Sequence, residues 1–368
     1  MKRVCIYCQT WESGGIESFI NNILWHMNLS DLKIDIVVEV LKESVFTKDI
    51  ETLGITFHEL SGSQKKRIKN YLLFTKLLNE QKYDVIHLNI FQALPLIYLL
   101  EAKRKSIPVR IAHSHNTMLR HNRTRMLKMG IHRFASYLFA KNATDLWACF
   151  ADAAKFMFPT MLLRKKTYQF IPNGIDLQRF QFNEAERRNI RKQLQLENTF
   201  VVGNVGRLCR QKNQSFLIDV FAQIHAENAS ARLLLIGEGE ALTELKQKVA
   251  RLSITDAVIF YGTTFHVEKL LWAMDVFVFP SIFEGLGIAT IEAQAAGLPT
   301  ICSDRIPKEA LASSLALQIP LDAPADLWRT AIVHAQNRRV NINVVKQLEA
   351  KGFNINTVSA NIFYAYCR

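Results

Sequence analysis

The sequence predicts an α/β protein made of two doubly wound domains with parallel sheets. Three observations carry that expectation. Short apolar runs alternate with helical patterns along the whole chain. Several of these runs are apolar almost throughout, as strands covered on both faces by crossover helices must be. The alternation also starts afresh after residue 175, dividing 368 residues into two halves of ordinary domain size.

In the first half the runs "VCIYC", "IDIVVEV", "ITFHEL", "DVIHLNI", "VRIAHSH", "DLWACF" and "YQFIPN" read as strands. Helical patterns such as "IESFINNILWHM" and "IKNYLLFTKLLNEQ" lie between them. The second half gives "FVVGNVG", the helix "NQSFLIDVFAQIHA", "RLLLIG", the helix "ALTELKQKVARL", "AVIFYG", the helix "VEKLLWAM" and "DVFVFPS". A loop, "IFEGLG", then leads into the helix "IATIEAQAA", which "GLP" stops by placing Gly past its end and Pro beyond. "PTICS" is the last strand of this reading. Strand-helix alternation with right-handed crossovers makes each half Rossmann-like, residues 1–175 and 176–352, joined near "PNGID". The closing helical stretch within 353–368 is a candidate to join the first domain.

Composition excludes other classes. Hydrophobic content of 49% and charged content of 21% describe a globular chain rather than a disordered or collagenous one. The longest apolar runs, around residues 93–100 and 270–280, fall short of the roughly 20 residues of a membrane span. The apolar run in "MKRVCIYCQTWES" is too short for a signal-peptide core, so a cytoplasmic protein is expected. Six scattered cysteines, including Cys5 and Cys8 in an apparent strand, read as reduced thiols. Charge is uneven. Residues 1–180 hold 26 Lys and Arg against 15 Asp and Glu, whereas residues 181–368 hold 20 against 18. The basic half therefore meets an anionic partner: a membrane, a nucleic acid or a phosphorylated substrate.

Four constellations bear chemistry. In "FPSIFEGLGIATIEAQAAGLPT", Glu284 precedes a helix and Glu292 lies inside it. Eight helical positions span roughly 12 Å, whereas a retaining glycosidase holds its carboxyl groups about 5–5.5 Å apart. The two suit one elongated ligand better than one bond, and a carboxylate in so apolar a helix needs hydrogen-bond donors. In "GNVGRLCRQKN", Gly206 ends a strand, Arg207 follows, and Lys212 precedes the next helix. That is either a diphosphate site or a basic surface loop. In "ESGGIESF", Gly14 and Gly15 open a helix that carries Glu17, with amides free for a ligand. In "RIAHSHNT", His113 and His115 share a face at a strand end, and without a third ligand they make a poor zinc site. Neither a G-x-G-x-x-G fingerprint nor a Walker motif is present.

In order and flanks, "GGIE", "PNGID", "GR" then "K", "GEGE" and "FPSIFEGLGIATIEAQAAGLPTI" resemble retaining glycosyltransferases of family 4, which have the GT-B fold of two Rossmann-like domains facing across a cleft. "HSHN" and "SDRIPKEA" are similar to the branch that builds capsular polysaccharide, exopolysaccharide or O-antigen repeats. The resemblance implies an acceptor domain at 1–175 and a donor domain at 176–352. It places Glu284 and the backbone of Gly285, Leu286 and Gly287 on the donor sugar, Glu292 on the nucleotide ribose, and Arg207 and Lys212, beside Gly206, on the diphosphate. Gly14 and Gly15 approach the phosphates or the acceptor, His115 (or His113) contacts the transferred sugar, and Glu17 and Asn173 form a second tier. A nucleotide sugar, with UDP the expected carrier, is then a substrate and no cofactor is needed. No Asp-x-Asp occurs, so metal-independent transfer is expected. The basic half, above all "MLRHNRTRMLKMGIHRF" with Arg120, Arg123, Arg125, Lys128 and Arg133, then suits an anionic membrane surface and a lipid-diphosphate-linked acceptor. A solvated basic helix is the plainer alternative. Recognised nucleic-acid modules are missing, which argues against that partner. The rival functions are a sugar-nucleotide epimerase of similar architecture and an inactive sugar-nucleotide-binding protein.

Overall fold

The computed structural model describes residues 1–12, 14–116, 125–336, 338–339 and 343–368. The chain divides into two compact units, Met1–Gly174 with Gly352–Arg368, and Ile175–Lys351.

The first unit holds seven parallel strands: β1 (Lys2–Trp11), β2 (Leu32–Leu41), β3 (Thr56–Glu59), β4 (Val85–Ile90), β5 (Val109–Ser114), β6 (Asp145–Ala148) and β7 (Gln169–Phe170). Their order is β3-β2-β1-β4-β5-β6-β7, so the winding reverses between β1 and β4. β7 is only two residues long because Pro172, which has no N–H, follows closely. The core joins Val4, Ile6, Ile36 and Val38 of the sheet to Phe19, Ile20 and Ile23 of the helix Gly15–Trp25.

The C-terminal helix, Ile355–Cys367, belongs to this same core. Ile355, Val358, Ile362 and Tyr366 recur on one helical face and are buried there. Ser359 Oγ donates to the Ile23 carbonyl at 3.0 Å. Gly174 makes this docking possible, since a Cβ there would stand 2.9 Å from Ile355 Cα.

The second unit holds six parallel strands: β8 (Val201–Val205), β9 (Arg232–Ile236), β10 (Val258–Gly262), β11 (Val276–Phe279), β12 (Thr300–Ser303) and β13 (Ala316–Ile319). The order β10-β9-β8-β11-β12-β13 reverses between β8 and β11. Its core packs Val202, Leu233, Leu235 and Val278 against Leu217 and Phe221 of the helix Gln214–Glu227 and against Trp328. β13 lacks the apolar signature of the other strands: Leu317 is exposed while Ile319 alone is fully enclosed. Among the described residues no helix is long and apolar enough to cross a membrane.

Candidate active site

In open parallel sheets ligands bind beyond the carboxyl ends of the strands where the winding reverses. In the second unit that point lies between β8 and β11, and the loops that leave those strands are stapled together. Ile282 N donates to the Gln211 carbonyl at 2.8 Å, and Gln211 Nε2 donates to the Phe283 carbonyl at 2.9 Å. Asn213, left-handed at φ 57°, donates from Nδ2 to the Pro280 carbonyl at 3.2 Å. Lys212 is thereby carried onto Glu284, with Nζ 2.6 Å from Oε1 and 4.7 Å from the centre of the Phe279 ring. The two side chains are 19% and 7% exposed, so each buried charge needs the other.

Arg207 sits differently. Its side chain is 70% exposed and pairs with Glu240 at 3.0 Å on the rim. The backbone beneath it is packed too tightly for any side chain at Gly237 or Gly239. A Cβ at either would stand 2.2 Å from the carbonyl oxygen of Gly206 or Leu208. That contact holds the β8 loop down and is the structural content of "GEGE".

Gly287 takes φ 72° at the start of the helix Ile288–Ala295, and beside it Leu286 is buried and Gly285 half-buried. Four residues into the helix, Glu292 is half-buried, and its carboxyl makes no hydrogen bond among the described residues. Burial pushes it up to about 7, against the nearby charge of Arg179 and with that of Glu268. Arg179 itself is engaged by Glu268 at 2.8 Å. Gln294 was not singled out from the sequence. It accepts from the amides of Ala312 and Ser313 and donates to the Thr290 and Ala310 carbonyls, fixing this helix in place.

In the first unit the corresponding edge carries Gly14, Gly15 and the histidines. The helix start at Gly15 is not open as expected. The Glu17 carboxylate folds back over it, held by the backbone amides of Glu17 and Glu12, and burial raises its pKa. A Cβ on Gly14 would stand 2.5 Å from Glu17 Oε2, so the glycine is what admits the carboxylate.

His113 and His115 are joined by a residue that sequence reading passed over, His87 on β4. Tyr366 OH donates to His87 Nδ1 at 2.7 Å, His87 Nε2 reaches His113 Nδ1 at 3.3 Å, and His113 Nε2 reaches the Ile171 carbonyl at 3.3 Å. The carbonyl fixes every tautomer along this chain, because it can only accept. His113 is fully enclosed, with both ring nitrogens engaged. His115 is half-buried. Its Nε2 lies 3.0 Å from Asn89 Oδ1, while its Nδ1 has no partner among the described residues. Burial holds His115 down to about 3 and pushes His87 and His113 well below the usual histidine range, so all three are neutral near pH 7. Asn173 is half-buried, with Oδ1 unpartnered among the described residues. Among the described residues no group of three or more His, Cys, Asp and Glu side chains is arranged to hold a metal ion.

Arg120 and Arg123 lie outside the described residues. From Arg125 on, the segment belongs to the helix Arg125–Phe139, which exposes Met126, Leu127, Phe134 and Tyr137. A second basic-apolar ridge escaped the sequence reading. The start of the helix Arg67–Gln81, with Lys65 and Lys66 before it, exposes Ile68 and Leu72 among bases.

Comparisons with known proteins agree with this architecture. Residues 13–179 match the model for Glycosyltransferase Family 4, and residues 186–310 match that for glycosyl transferases group 1. EpsF of Bacillus subtilis, assigned as a glycosyltransferase, is 28% identical over 339 residues, 91% of this chain and 88% of that protein. An Escherichia coli UDP-Gal:alpha-D-GlcNAc-diphosphoundecaprenol alpha-1,3-galactosyltransferase is 26% identical over 245 residues, covering 65% of this chain and 62% of that one. The crystal structure of Anabaena Alr3699/HepE in complex with UDP superposes with a TM-score of 0.80 over 98% of both chains at 20% identity. Two parallel, doubly wound units, each matched by its own half of one enzyme class, place this chain among the GT-B glycosyltransferases of group 1 and family 4.

Proposed function

We propose that the chain is a retaining transferase that moves a sugar from a UDP-sugar to a glycan carried on a polyprenyl diphosphate, in assembly of a bacterial capsule, exopolysaccharide or O-antigen. One observation carries this reading. The Lys212–Glu284 pair and the unpartnered carboxyl of Glu292 flank the carboxyl edge of the second sheet, offering a cation to phosphate and carboxylates to hydroxyls. The UDP and UDP-glucose in HepE crystals support the choice of donor, and the E. coli relative's printed reaction supports the acceptor.

The chemistry follows from the side chains. An incoming diphosphate draws Lys212 toward itself and frees Glu284 to accept from sugar hydroxyls. Arg207 exchanges its rim partner Glu240 for the same diphosphate. Gly285, Leu286 and Gly287 line the sugar, and Glu292 takes the ribose hydroxyls. The bond from the anomeric carbon to the departing oxygen breaks while the acceptor oxygen bonds on the same face. The acceptor proton passes to the leaving phosphate, whose growing charge Arg207 and Lys212 offset. His115, neutral and with Nδ1 free to accept, meets a sugar hydroxyl; His113 and His87 hold its strand. Glu17 and Asn173 serve the acceptor, and Gly14 and Gly15 meet the phosphates or the acceptor once the Glu17 carboxylate has moved off the helix start. With no Asp-x-Asp in the sequence, the two cations take the place of a metal. The exposed basic and apolar ridges of the first unit hold the enzyme on the anionic inner face of the membrane.

The test is calorimetry of a panel of UDP- and GDP-sugars with chelator present and NAD as control. Binding of one UDP-sugar is expected, abolished by Lys212→Ala. Binding of none would sink the donor reading. Acceptor-dependent transfer with retention at the anomeric centre, read by NMR, separates this function from an epimerase or an inactive binding protein.

A further inference from the structure

We infer that the first unit carries a two-part site for a lipid with a diphosphate head, apart from the histidines and the glycine turn. The inference deepens the lipid-linked-acceptor reading and rests on it. A cavity of 840 Å³ opens at the carboxyl ends of β1, β2 and β4. Lys42, Lys65, Arg67 and Lys128 border it, and its one lining carboxylate among the described residues, Glu12, is already paired with Lys42 at 3.0 Å. Among the described residues Lys65, Arg67 and Lys128 form no ion pair within 4.0 Å, and Arg67 alone of them interacts with a carboxylate, that of Glu39, which leaves a cationic mouth. Such a concavity draws phosphate oxygens.

A second cavity, of 210 Å³, adjoins it and shares Gln9, Gln64, Arg67, Gln92 and Leu94. Its remaining walls are mostly apolar, with Ile68, Pro95 and Ile97 among them. Its lining carboxylate among the described residues, Glu39, is held internally. Glu39 accepts from Tyr7 OH at 2.9 Å, Tyr98 OH at 3.0 Å and Gln9 Nε2 at 3.2 Å. Gln9 Oε1 in turn accepts from Gln92 Nε2 at 2.8 Å, so the polar seam between the two cavities is fixed in advance.

The surroundings select the occupant. The helix Arg125–Phe139 lends Lys128 to the large cavity and exposes Met126, Leu127 and Phe134 beside it. The helix Arg67–Gln81 lends Arg67 and exposes Ile68 and Leu72. A soluble anion would use the cations but neither the ridges nor the apolar slot. A membrane surface alone would use the ridges but no enclosed cationic cavity. A lipid whose diphosphate stands at headgroup level uses all three: ridges in the bilayer surface, head in the large cavity, first carbons of the chain in the slot.

Three probes test this on the full chain by calorimetry: farnesyl diphosphate below its micelle concentration, inorganic pyrophosphate and farnesol. Farnesyl diphosphate should bind at least tenfold tighter than either fragment. The double substitution Lys42→Glu with Arg67→Glu should weaken farnesyl diphosphate and pyrophosphate at least tenfold each. Ile68→Glu should weaken farnesyl diphosphate at least threefold and leave pyrophosphate unchanged. All three positions are exposed, and unaltered UDP-sugar binding checks that the variants are folded. Farnesyl diphosphate binding that ignores all these substitutions overturns the site but spares the acceptor reading. Farnesyl diphosphate no tighter than pyrophosphate removes the slot. A wild-type chain that binds UDP-sugar but no farnesyl diphosphate overturns both the site and the lipid-linked acceptor.

Discussion

Glu292 should make donor binding depend on pH in a direction opposite to its effect on stability. Its carboxyl is pushed up to about 7 by burial, so it is half protonated near neutrality. In the role proposed for Glu292, ribose hydroxyls donate best to the ionised form, and a bound donor must therefore expel the proton. The ionised fraction falls from about 0.9 at pH 8 to about 0.1 at pH 6, so affinity should fall about tenfold, about 1.4 kcal/mol. The ligand should be an intact UDP-sugar, because free UDP has a phosphate that itself titrates near pH ~6. Calorimetry in buffers of different ionisation enthalpy should count about 0.5 proton released per donor at pH 7. Glu292→Gln should bind more weakly and lose the pH slope.

Stability should move the other way. The folded state holds this proton more tightly than the unfolded chain, whose carboxyl titrates near 4.5. Folding is thus favoured below that value, and the advantage is lost as pH rises toward 7. At pH 8 the ionised carboxyl costs up to about 3 kcal/mol, and Glu292→Gln should raise the melting temperature there while lowering affinity. A donor affinity that is flat from pH 6 to 8, or a variant that keeps the slope, would refute the assignment.

Three further outcomes are expected. Lys212→Ala should lower kcat/KM by about 10² or more by removing the charge proposed to offset the leaving diphosphate, measured in a coupled transfer assay. Tyr366→Phe should cost about 1–3 kcal/mol in urea unfolding by leaving buried His87 Nδ1 without its donor, with UDP-sugar affinity unchanged. Met126→Glu with Phe134→Glu, both on exposed positions, should abolish flotation with anionic vesicles, and wild-type flotation should weaken with salt.

Much of the fold was legible because parallel strands covered on both faces leave apolar runs that nothing else in the chain imitates. β13 escaped that test, since Leu317 and Gln318 face partly outward at the sheet margin. The length of β7 was overestimated because strand propensity does not register the missing N–H of Pro172. At the site, the loop "IFEGLG" and the position of Glu292 in its helix were readable from spacing alone. The 2.6 Å pairing of Lys212 with Glu284 was not, because it depends on side chains 72 positions apart in the chain meeting where the winding reverses. His87 was hidden for a related reason. A polar residue alternating in an apolar strand carries no sign of its partner, and that partner, Tyr366, lies 279 residues away.

That last separation bears on how the protein is made. The core of the first unit is closed by Ile355, Val358, Ile362 and Tyr366, which a ribosome adds only after the whole of the second unit. Until then the face formed by Phe19, Ile20, Ile23 and the β1–β2 sheet lacks its cover. The second unit, contiguous in sequence, has no such delay. Synthesis order therefore inverts folding order: the half that emerges last can finish first, while the half that emerges first waits, its apolar face exposed, for the final turns of helix.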